Sequence, residues 1–289
     1  SETDEDDLAE LMVGREVQLT VDRGESHPAE PMLQVEDLRV AGGHGGDVVD
    51  GVSLEVRAGE ILGVAGVAGN GQDELVEAIT GLRQPRSGTI TLDGEDVTSD
   101  GTRDLHGKNV AYVPADRHRF GLVLSFPITD NAVLTDYYME PYSHGVIRDE
   151  GAIAKRADEA IAQYDVRTPA ATVTAGTLSG GNQQKLIVAR EFDRELKLLV
   201  LDQPTRGLDV GSIEFIHKQV IDKRDAGTAI LLVSAELDEV LELSDRIAVM
   251  YRGKIVAVVE GRTANKEEVG LLMATGGRAE GTSSEGATS

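Results

Sequence analysis

The length and composition of the chain indicate a globular protein of one large domain or two modest ones. Of its 289 residues, 40% are apolar and only 3% are aromatic, so the core must be built from Val, Ile, Leu and Ala. The absence of Cys excludes disulfides, thiolate zinc sites and Cys nucleophiles, and a net charge of −23 argues against a nucleic-acid partner.

The charge balance also bears on the source of the protein. The basic residues are 20 Arg and only 8 Lys. An acidic chain with few Lys is expected where molar salt screens the self-repulsion that opposes compaction. We interpret the source as a halophile; an ordinary acidic cytosolic protein is the alternative. Since no apolar run approaches the roughly 18 residues of a membrane span and the N-terminus is unlike a signal peptide, we expect a soluble cytoplasmic chain.

Hydrophobic patterning predicts an α/β chain. Residues 1–30 are interpreted as a linker with an acidic helical stretch at 7–13. Strands are predicted at 33–35, 52–56, 61–65, 89–92, 110–113, 198–201, 229–233, 247–250 and 255–259. Helices are predicted at 74–79, 183–193, 211–225 and 236–243, and a helical lobe over about 128–165 interrupts the alternation. The Gly- and Ser-rich tail from Gly276 is predicted to be disordered.

A glycine-rich segment follows the predicted strand at 61–65. In a P-loop, two spaced glycines let backbone N–H groups and a helix N-terminus surround phosphate oxygens. Gly66 and Gly71 meet that spacing, but the Lys and Ser or Thr that should follow are replaced by Gln72 and Asp73. The segment alone fits a plain strand-to-helix turn as well as a phosphate site.

A second segment, residues 178–185, reads Leu-Ser-Gly-Gly-Asn-Gln-Gln-Lys before a predicted helix. Ser179, Gly180 and Gly181 offer a hydroxyl and backbone N–H groups to an anion at a helix N-terminus. A simple N-cap would account for Ser179, but not for the glycine pair and the two Gln that follow.

A third segment is the apolar run 198–201, which ends in Asp202. A carboxylate at the C-terminal end of a buried parallel strand lies at the sheet edge that carries phosphate loops, where it can act on Mg²⁺. Because apolar runs that end in Asp are common, this segment by itself is weak support.

The order and spacing of the three segments resemble the nucleotide-binding domain of ABC transporters over residues 32–264. The resemblance implies an α/β P-loop NTPase fold with an antiparallel β flank at 32–57 and an inserted helical subdomain at about 128–190. Residues 112–117, 181–185 and 203–211 are similar to the C-terminal nucleotide-binding half of tandem ATPases that serve simple-sugar and nucleoside importers.

The same resemblance divides the chain. Residues 4–17 are similar to the linker between the two halves, so we interpret the chain as a fragment. In that interpretation, 1–30 is the linker, 31–264 the nucleotide-binding domain and 265–289 a C-terminal helix with a disordered tail.

The resemblance implies ATP and Mg²⁺ as cofactors. The residues implied in ATP binding are Gly66, Gly69, Asn70, Gly71, Gln72, Asp73, Ser179, Gly180 and Gly181. Those implied in catalysis are Ser179, Gly181, Asp202, Gln203 and Asp209, and those implied in Mg²⁺ binding are Asp202 and Asp73. In the family, each ATP lies between the phosphate loop of one half and the Leu-Ser-Gly-Gly segment of the other, with Asp209 at the dimer seam.

Several residues depart from the family pattern. Gln72 has no ammonium group, so the site loses on the order of a few kcal/mol of binding free energy for phosphate. The backbone N–H groups of the loop are still expected to be available. Asp73 stands where a hydroxyl meets Mg²⁺, so it either ligates the ion or repels the γ-phosphate. Gln203 stands where the family has its catalytic Glu, and Ala235 stands where it usually has its switch His. Ala115 stands near the position of the Gln that usually contacts the γ-phosphate side. No aromatic residue near residue 40 could stack on adenine.

We therefore expect a degenerate site in this half. Ser179 and Gly181 would complete an ATP site whose loop and catalytic carboxylate belong to the missing first half. The expected function is that of an ATP-hydrolysing import subunit at the cytoplasmic face of the membrane. Its partners would be the first nucleotide-binding half, two transmembrane permease subunits that dock on 116–135 and, indirectly, a substrate-binding lipoprotein.

The transported solute stays open between a simple sugar and a nucleoside, with 203–217 leaning toward a nucleoside. One alternative is a regulatory module that holds ATP without turning it over. A soluble ABC protein of translation or DNA repair is a third possibility, disfavoured by the lack of basic patches and coiled-coil insertions.

Overall fold

The computed structural model describes residues 23–43 and 45–277. Its strands are β1 (Pro31–Ala41), β2 (Asp47–Arg57), β3 (Ile61–Ala65), β4 (Ser87–Leu92), β5 (Glu95–Asp96), β6 (Val110–Val113), β7 (Ser143–His144), β8 (Ile147–Arg148), β9 (Leu198–Asp202), β10 (Ala229–Ser234), β11 (Arg246–Tyr251) and β12 (Lys254–Glu260). Its helices are α1 (Gln72–Ile79), α2 (Thr102–Gly107), α3 (Ile128–Ala132), α4 (Glu150–Gln163), α5 (Gly180–Phe192), α6 (Val210–Asp225), α7 (Leu237–Leu243) and α8 (Lys266–Thr275). A π-helical turn at Arg117–Gly121 and a 3₁₀ turn at Ala175–Thr177 complete the elements.

The central sheet has the strand order β12-β11-β3-β10-β9-β6 and is parallel except for β12. Every residue of β3, β9 and β10 is buried, because parallel strands are covered on both faces. Ala65 pairs with Ser234, and Val233 with Asp202. The ends of β3 and β9 therefore lie at the same sheet edge, separated only by β10.

The antiparallel flank is confirmed and is larger than expected. The predicted range 32–57 supplies β1 and β2, but β4 pairs with the other side of β1 and β5 follows β4. Because β2, β3 and α1 separate β4 from β1 along the chain, local patterning carried no sign of this pairing. One hydrophobic core fills the space between this flank and the central sheet.

The helical lobe is only partly helical. The expectation of helix over 128–165 is right for α3 and α4 and wrong between them, where turns and the hairpin β7–β8 lie. Asn131 is fully buried; its side-chain oxygen accepts from the N–H of Val123 at 2.9 Å and its amide nitrogen donates to the Val123 carbonyl at 3.0 Å. The Asn131 side chain thus links α3 to the segment at Val123 that leads into the lobe. Helix α5 begins at Gly180, before the predicted 183, because Ser179 caps it.

The two ends of the chain are described in part. Residues 23–29 have no regular secondary structure, and Arg23 donates to the carbonyl of Ser244 at 2.6 Å. The C-terminal helix is α8, whereas the helix predicted at 7–13 and the tail beyond 277 lie outside the described residues. In the part of the chain that is described, no helix is long and apolar enough to cross a membrane.

Candidate nucleotide site

A cavity of about 430 Å³, here called the sheet-edge cavity, opens where β3 and β9 end. Five of its lining residues were predicted as site residues: Gly66, Gln72, Asp73, Asp202 and Gln203. The other lining residues are Ala68, Glu77, Tyr112, Ala115, Asp116, Arg119, Phe120, Arg206, Ala235 and Glu236. The remaining predicted loop residues, Gly69, Asn70 and Gly71, lie in the phosphate loop (residues 66–71) between β3 and α1.

The side chain of Gln72 closes the phosphate loop from within. Its Oε1 accepts from the backbone N–H of Asn70 at 3.1 Å, and its Nε2 donates to the carbonyl of Val67 at 3.1 Å. Gln72 is only 6% exposed, and a Cβ added to Gly66 would lie 2.4 Å from Nε2. The expectation that the loop N–H groups remain available is therefore wrong at Asn70, because the amide of Gln72 already binds that group.

The turn between β11 and β12 holds the same loop from outside. Asn70 Oδ1 accepts from the N–H of Arg252 at 3.0 Å, and the N–H of Gly253 donates to the Asn70 carbonyl at 2.9 Å. Gly71 has a φ of 103°, and a Cβ there would lie 2.3 Å from the Val48 carbonyl oxygen. Glycine is required at this position, and Asn70 and Gly71 together fix the shape of the loop.

Asp202 is the buried carboxylate of the sheet-edge cavity. It is 5% exposed, and its Oδ1 has no hydrogen-bond partner among the described residues. Its Oδ2 lies 3.5 Å from the hydroxyl of Tyr112. Burial and, next, the charge of Asp73 raise the pKa of Asp202 to about 7, against a lowering effect of a backbone hydrogen bond from Ala115. Burial, followed by the charge of Asp202, also raises the pKa of Tyr112, so its hydroxyl stays protonated and can donate.

Asp73 and Asp202 fit a Mg²⁺ ion by ligand type, because both offer hard carboxylate oxygens and Asp202 Oδ1 is buried without a partner. No group of three or more His, Cys, Asp or Glu side chains suited to a metal ion occurs within residues 23–43 and 45–277. Any ion here would therefore take its other ligands from groups other than a third carboxylate, such as water or phosphate oxygens. When bound, Mg²⁺ would supply charge that offsets the negative phosphates.

Gln203 sits in an unusual backbone conformation directly after Asp202. Its φ of 49° lies in the left-handed region, which non-glycine residues rarely adopt and which is typical of functional sites. Its Oε1 accepts from the N–H of Ala235 at 3.0 Å, so the amide is fixed to the turn after β10. Held in this way it could orient a water molecule, but an amide cannot accept a proton as a carboxylate does, and the Ala235 methyl group cannot hydrogen-bond.

Ser179 of the Leu-Ser-Gly-Gly segment lines a second cavity of about 350 Å³, here called the signature cavity. Ser179 is exposed and caps α5, and its Oγ accepts from the side-chain amide of Asn182 at 2.9 Å. Asn182 Oδ1 in turn accepts from the backbone N–H of Arg167 at 2.7 Å. Ser179, at the N-terminus of α5, is thus exposed to solvent, and Asn182 and the backbone of Arg167 hold its hydroxyl in place through hydrogen bonds.

Gly181 lets two helix N-termini approach each other at the signature cavity. A Cβ there would lie 2.3 Å from Ser212 Oγ and 3.0 Å from Asp209 Oδ2. Asp209 caps α6 and accepts from the N–H and the hydroxyl of Ser212 at 3.0 and 2.8 Å. Burial acts to raise the pKa of Asp209, but these hydrogen bonds outweigh it and hold the pKa below its ordinary value. Asp209 is therefore ionised beside Gly181.

The predicted residues that line a cavity divide between two cavities with no lining residue in common: five line the sheet-edge cavity, and Ser179 and Asp209 line the signature cavity. Sequence reasoning did not select Arg119 and Arg206 in the sheet-edge cavity or Arg167 and Lys185 in the signature cavity. Arg206 and Lys185 lie inside segments that the sequence already singled out, residues 203–211 and 178–185, and this was the signal that could have found them. Arg119 and Arg167 lie outside the segments assigned to nucleotide binding, and the tertiary fold brings them to these cavities.

A parallel sheet with a phosphate loop after one strand and a buried Asp at the end of another defines a P-loop nucleotide-binding domain. Residues 49–206, more than half of the chain, match the ABC transporter family. The chain belongs to this family. A solved nucleotide-free ATP-binding cassette of an ABC transporter shares the fold, with a TM-score of 0.70 at 22% identity over 85% of this chain and 96% of that one.

Three curated relatives are similar over nearly the whole chain. The guanosine import ATP-binding protein NupO of Bacillus subtilis is 49% identical over 94% of this chain and 54% of its own length. The nucleoside import ATP-binding protein NupA of Lactococcus lactis is 48% identical over 93% of this chain and 53% of its own. The glucose import ATP-binding protein TsgD13 of Haloferax volcanii is 44% identical over 96% of this chain and 50% of its own. The chain thus spans about half the length of the curated relatives it matches.

Proposed function

We propose that the chain is the second nucleotide-binding half of a tandem ATP-binding subunit of an ABC importer. The observation that carries this proposal is the contrast between the two cavities. The signature cavity presents Ser179 on a supported helix N-terminus, whereas Gln72 fills the phosphate loop of the sheet-edge cavity. Relatives about twice as long support the tandem arrangement.

The chemistry of the signature cavity suits phosphate recognition from a partner. The N-terminus of α5 carries partial positive charge, and Ser179 adds a hydroxyl that can hydrogen-bond to a phosphate oxygen. In the proposed assembly, these groups face ATP on the phosphate loop of the first half. In phosphoryl transfer, the main catalytic task is to stabilise the negative charge on the phosphoryl group in the transition state.

A third cavity supports a permease as the next partner. It has a volume of about 380 Å³ between the central sheet and the helical lobe, and Phe120, Leu134 and Thr135 from the predicted docking region line it. Tyr137, outside that region, also lines it and is 52% exposed. We infer that permease subunits dock here, which would place the chain peripherally at the cytoplasmic face of the membrane, with the substrate-binding lipoprotein contacting it only through them.

The solute that best fits the similarities is a nucleoside. Two relatives at 49% and 48% identity carry guanosine and nucleoside import in their names, whereas the glucose import relative is 44% identical. Uptake of labelled guanosine and labelled glucose by the assembled transporter decides between the two classes.

Replacing Ser179 with alanine is expected to lower ATP turnover of the assembled transporter roughly tenfold to a hundredfold, because one donor to the transition-state phosphate is lost. Thr177→Ala is the matched control: its hydroxyl lies two residues away and donates to the Thr174 carbonyl at 2.7 Å. We expect turnover of this control to stay within about a factor of two. Unchanged turnover in Ser179→Ala would refute the composite site.

A regulatory module that binds ATP without turnover is the second candidate. The observation that favours it is the amide of Gln203, which accepts a hydrogen bond from the N–H of Ala235 and cannot take a proton from water as a carboxylate can. The methyl group of Ala235 offers no replacement for that proton acceptor. It differs from the first proposal in one measurable way: mixing with a first half would yield binding but no turnover.

We also propose that the chain folds in molar salt. Its net charge of −23 supports this, as does the similarity to a Haloferax protein. The unfolding temperature followed by far-UV circular dichroism is expected to rise steeply with KCl, since added cations screen self-repulsion. Full secondary structure and unchanged thermal stability at about 0.1 M KCl would contradict the proposal.

A further inference from the structure

The C-terminal helix α8 packs against the two strands that lead to the phosphate loop and to the turn that holds it. Val269 and Met273 of α8 lie in one buried cluster with Ala65, the last residue of β3, and with Val249 of β11. The phosphate loop begins directly after β3, and the turn that holds the loop from outside joins β11 to β12. The helix therefore rests on both segments that fix the loop.

The end of α8 packs against the ring of Tyr251, the last residue of β11. Gly276 caps the helix with a φ of 67°, and its N–H donates to the Leu272 carbonyl at 2.8 Å. A Cβ at Gly276 would lie 2.4 Å from Tyr251 Cδ1, so only a glycine lets the helix end approach the ring this closely. The guanidinium carbon of Arg252 lies 5.2 Å from the centroid of the same ring. The Tyr251 ring thus contacts both the end of α8 and the first residue of the turn.

The turn between β11 and β12 is packed tightly against the phosphate loop. The N–H groups of Arg252 and Gly253 both donate to Asn70. A Cβ at Gly253 would lie 2.4 Å from the Val48 carbonyl oxygen, and this is the same atom that approaches Gly71. Because the loop, the turn and β2 meet at this carbonyl, a shift of the turn would displace Asn70 as well.

We propose that Tyr251 and Gly276 are positioning residues of the phosphate loop, through which the C-terminal helix controls how well the sheet-edge cavity binds nucleotide phosphate. The proposal is carried by the continuous contacts from the cap of α8 through the Tyr251 ring and the turn to Asn70. A loop that is already held in shape loses less conformational entropy when it binds an anion. Neither Tyr251 nor Gly276 lines the sheet-edge cavity, so both act through the backbone of the loop.

The test is amide hydrogen exchange of the full chain without nucleotide in molar KCl, followed by mass spectrometry of peptides that cover residues 66–71. Tyr251→Ala removes the ring, and Gly276→Ala adds a methyl group where the ring lies. Relative to the amides of β9 in the same protein, we expect loop exchange to become about tenfold faster in Tyr251→Ala and about threefold or more in Gly276→Ala. The fully buried β9 reports any loss of global stability.

Gly277→Ala is the matched control for the helix end. Gly277 is the next residue and also has a positive φ, 78°, but a Cβ there would meet Leu272 Cδ2 at 3.4 Å and not the ring. Tyr251→Phe keeps the ring and is the control for the side chain. We expect loop exchange in both controls within about a factor of two of the wild type. Wild-type loop exchange in Tyr251→Ala and Gly276→Ala would overturn the proposal, as would equal acceleration by Gly277→Ala and Gly276→Ala.

Mg-ATP affinity, measured by isothermal titration in molar KCl, is the second readout. We expect affinity to fall about threefold to tenfold in Tyr251→Ala and to stay at the wild-type value in Tyr251→Phe. Faster loop exchange with unchanged affinity would contradict a role of these residues in phosphate binding. Only this readout rests on the proposed nucleotide site. The exchange experiment needs neither ATP nor a first half, so its failure would leave the composite site at Ser179 standing.

Discussion

Replacing Gln72 with lysine is expected to raise the affinity of the chain for Mg-ATP by roughly tenfold to a hundredfold. The change adds a unit charge beside the phosphates, worth about 4 kcal/mol at contact distance with an effective dielectric constant near 20, and molar salt reduces this value. It also removes the amide that binds the Asn70 N–H and the Val67 carbonyl. Isothermal titration in molar KCl measures the effect.

Gln72→Ala separates the two contributions. It removes the side-chain amide without adding charge, so we expect a gain in Mg-ATP affinity much smaller than that of the lysine variant. If Gln72→Lys bound Mg-ATP no better than the wild type, the neutral amide would not be what weakens this site. The weakness would then have to come from Asp73 or from the shape of the loop.

Replacing Asp202 with asparagine is expected to stabilise the chain at pH 8 by on the order of 1–3 kcal/mol when EDTA removes cations. Burial, with the charge of Asp73, raises the pKa of Asp202 from 3.8 to about 7 in the folded chain. The folded state thus binds a proton that the unfolded state releases, and stability falls as pH rises from about 4 to about 7. The neutral amide of the variant avoids this loss.

Urea unfolding at two pH values measures this effect. At pH 8 the variant should be more stable than the wild type, and near pH 4, where Asp202 is protonated in the folded chain, the difference should largely vanish. Added Mg²⁺ should narrow the gap at pH 8 by binding the wild type. A variant that is less stable at pH 8 would show that the charged carboxylate is well accommodated without a cation.

The sequence predicted the central sheet well because its strands are short apolar runs buried on both faces. The runs that became β3, β9 and β10 are of this kind. It predicted the lobe less well: residues 138–149 combine Pro, Gly and charged residues that form turns and the β7–β8 hairpin. Pairing of β4 with β1 depends on contacts between distant segments, which patterning does not encode.

The site divides in the same way. Motif spacing identified the residue types at Gln72, Asp202 and Gln203, because each occupies a fixed place after a strand or loop. What those residues do could not be predicted, since the bridge from Gln72 across the loop and the unpaired Asp202 Oδ1 depend on side-chain placement. Spacing therefore pointed to residues that line one cavity, and the structure shows how Gln72 closes the loop beside it.

The most direct measurement is Mg-ATP turnover by the purified chain in molar KCl, alone and mixed with a first half that carries an intact glycine-Lys-Ser/Thr loop. We predict no turnover by the chain alone, turnover by the mixture, and loss of that turnover when the chain carries Ser179→Ala. Steady turnover by the chain alone would contradict the account, because Gln72 and Gln203 would then support hydrolysis in this half.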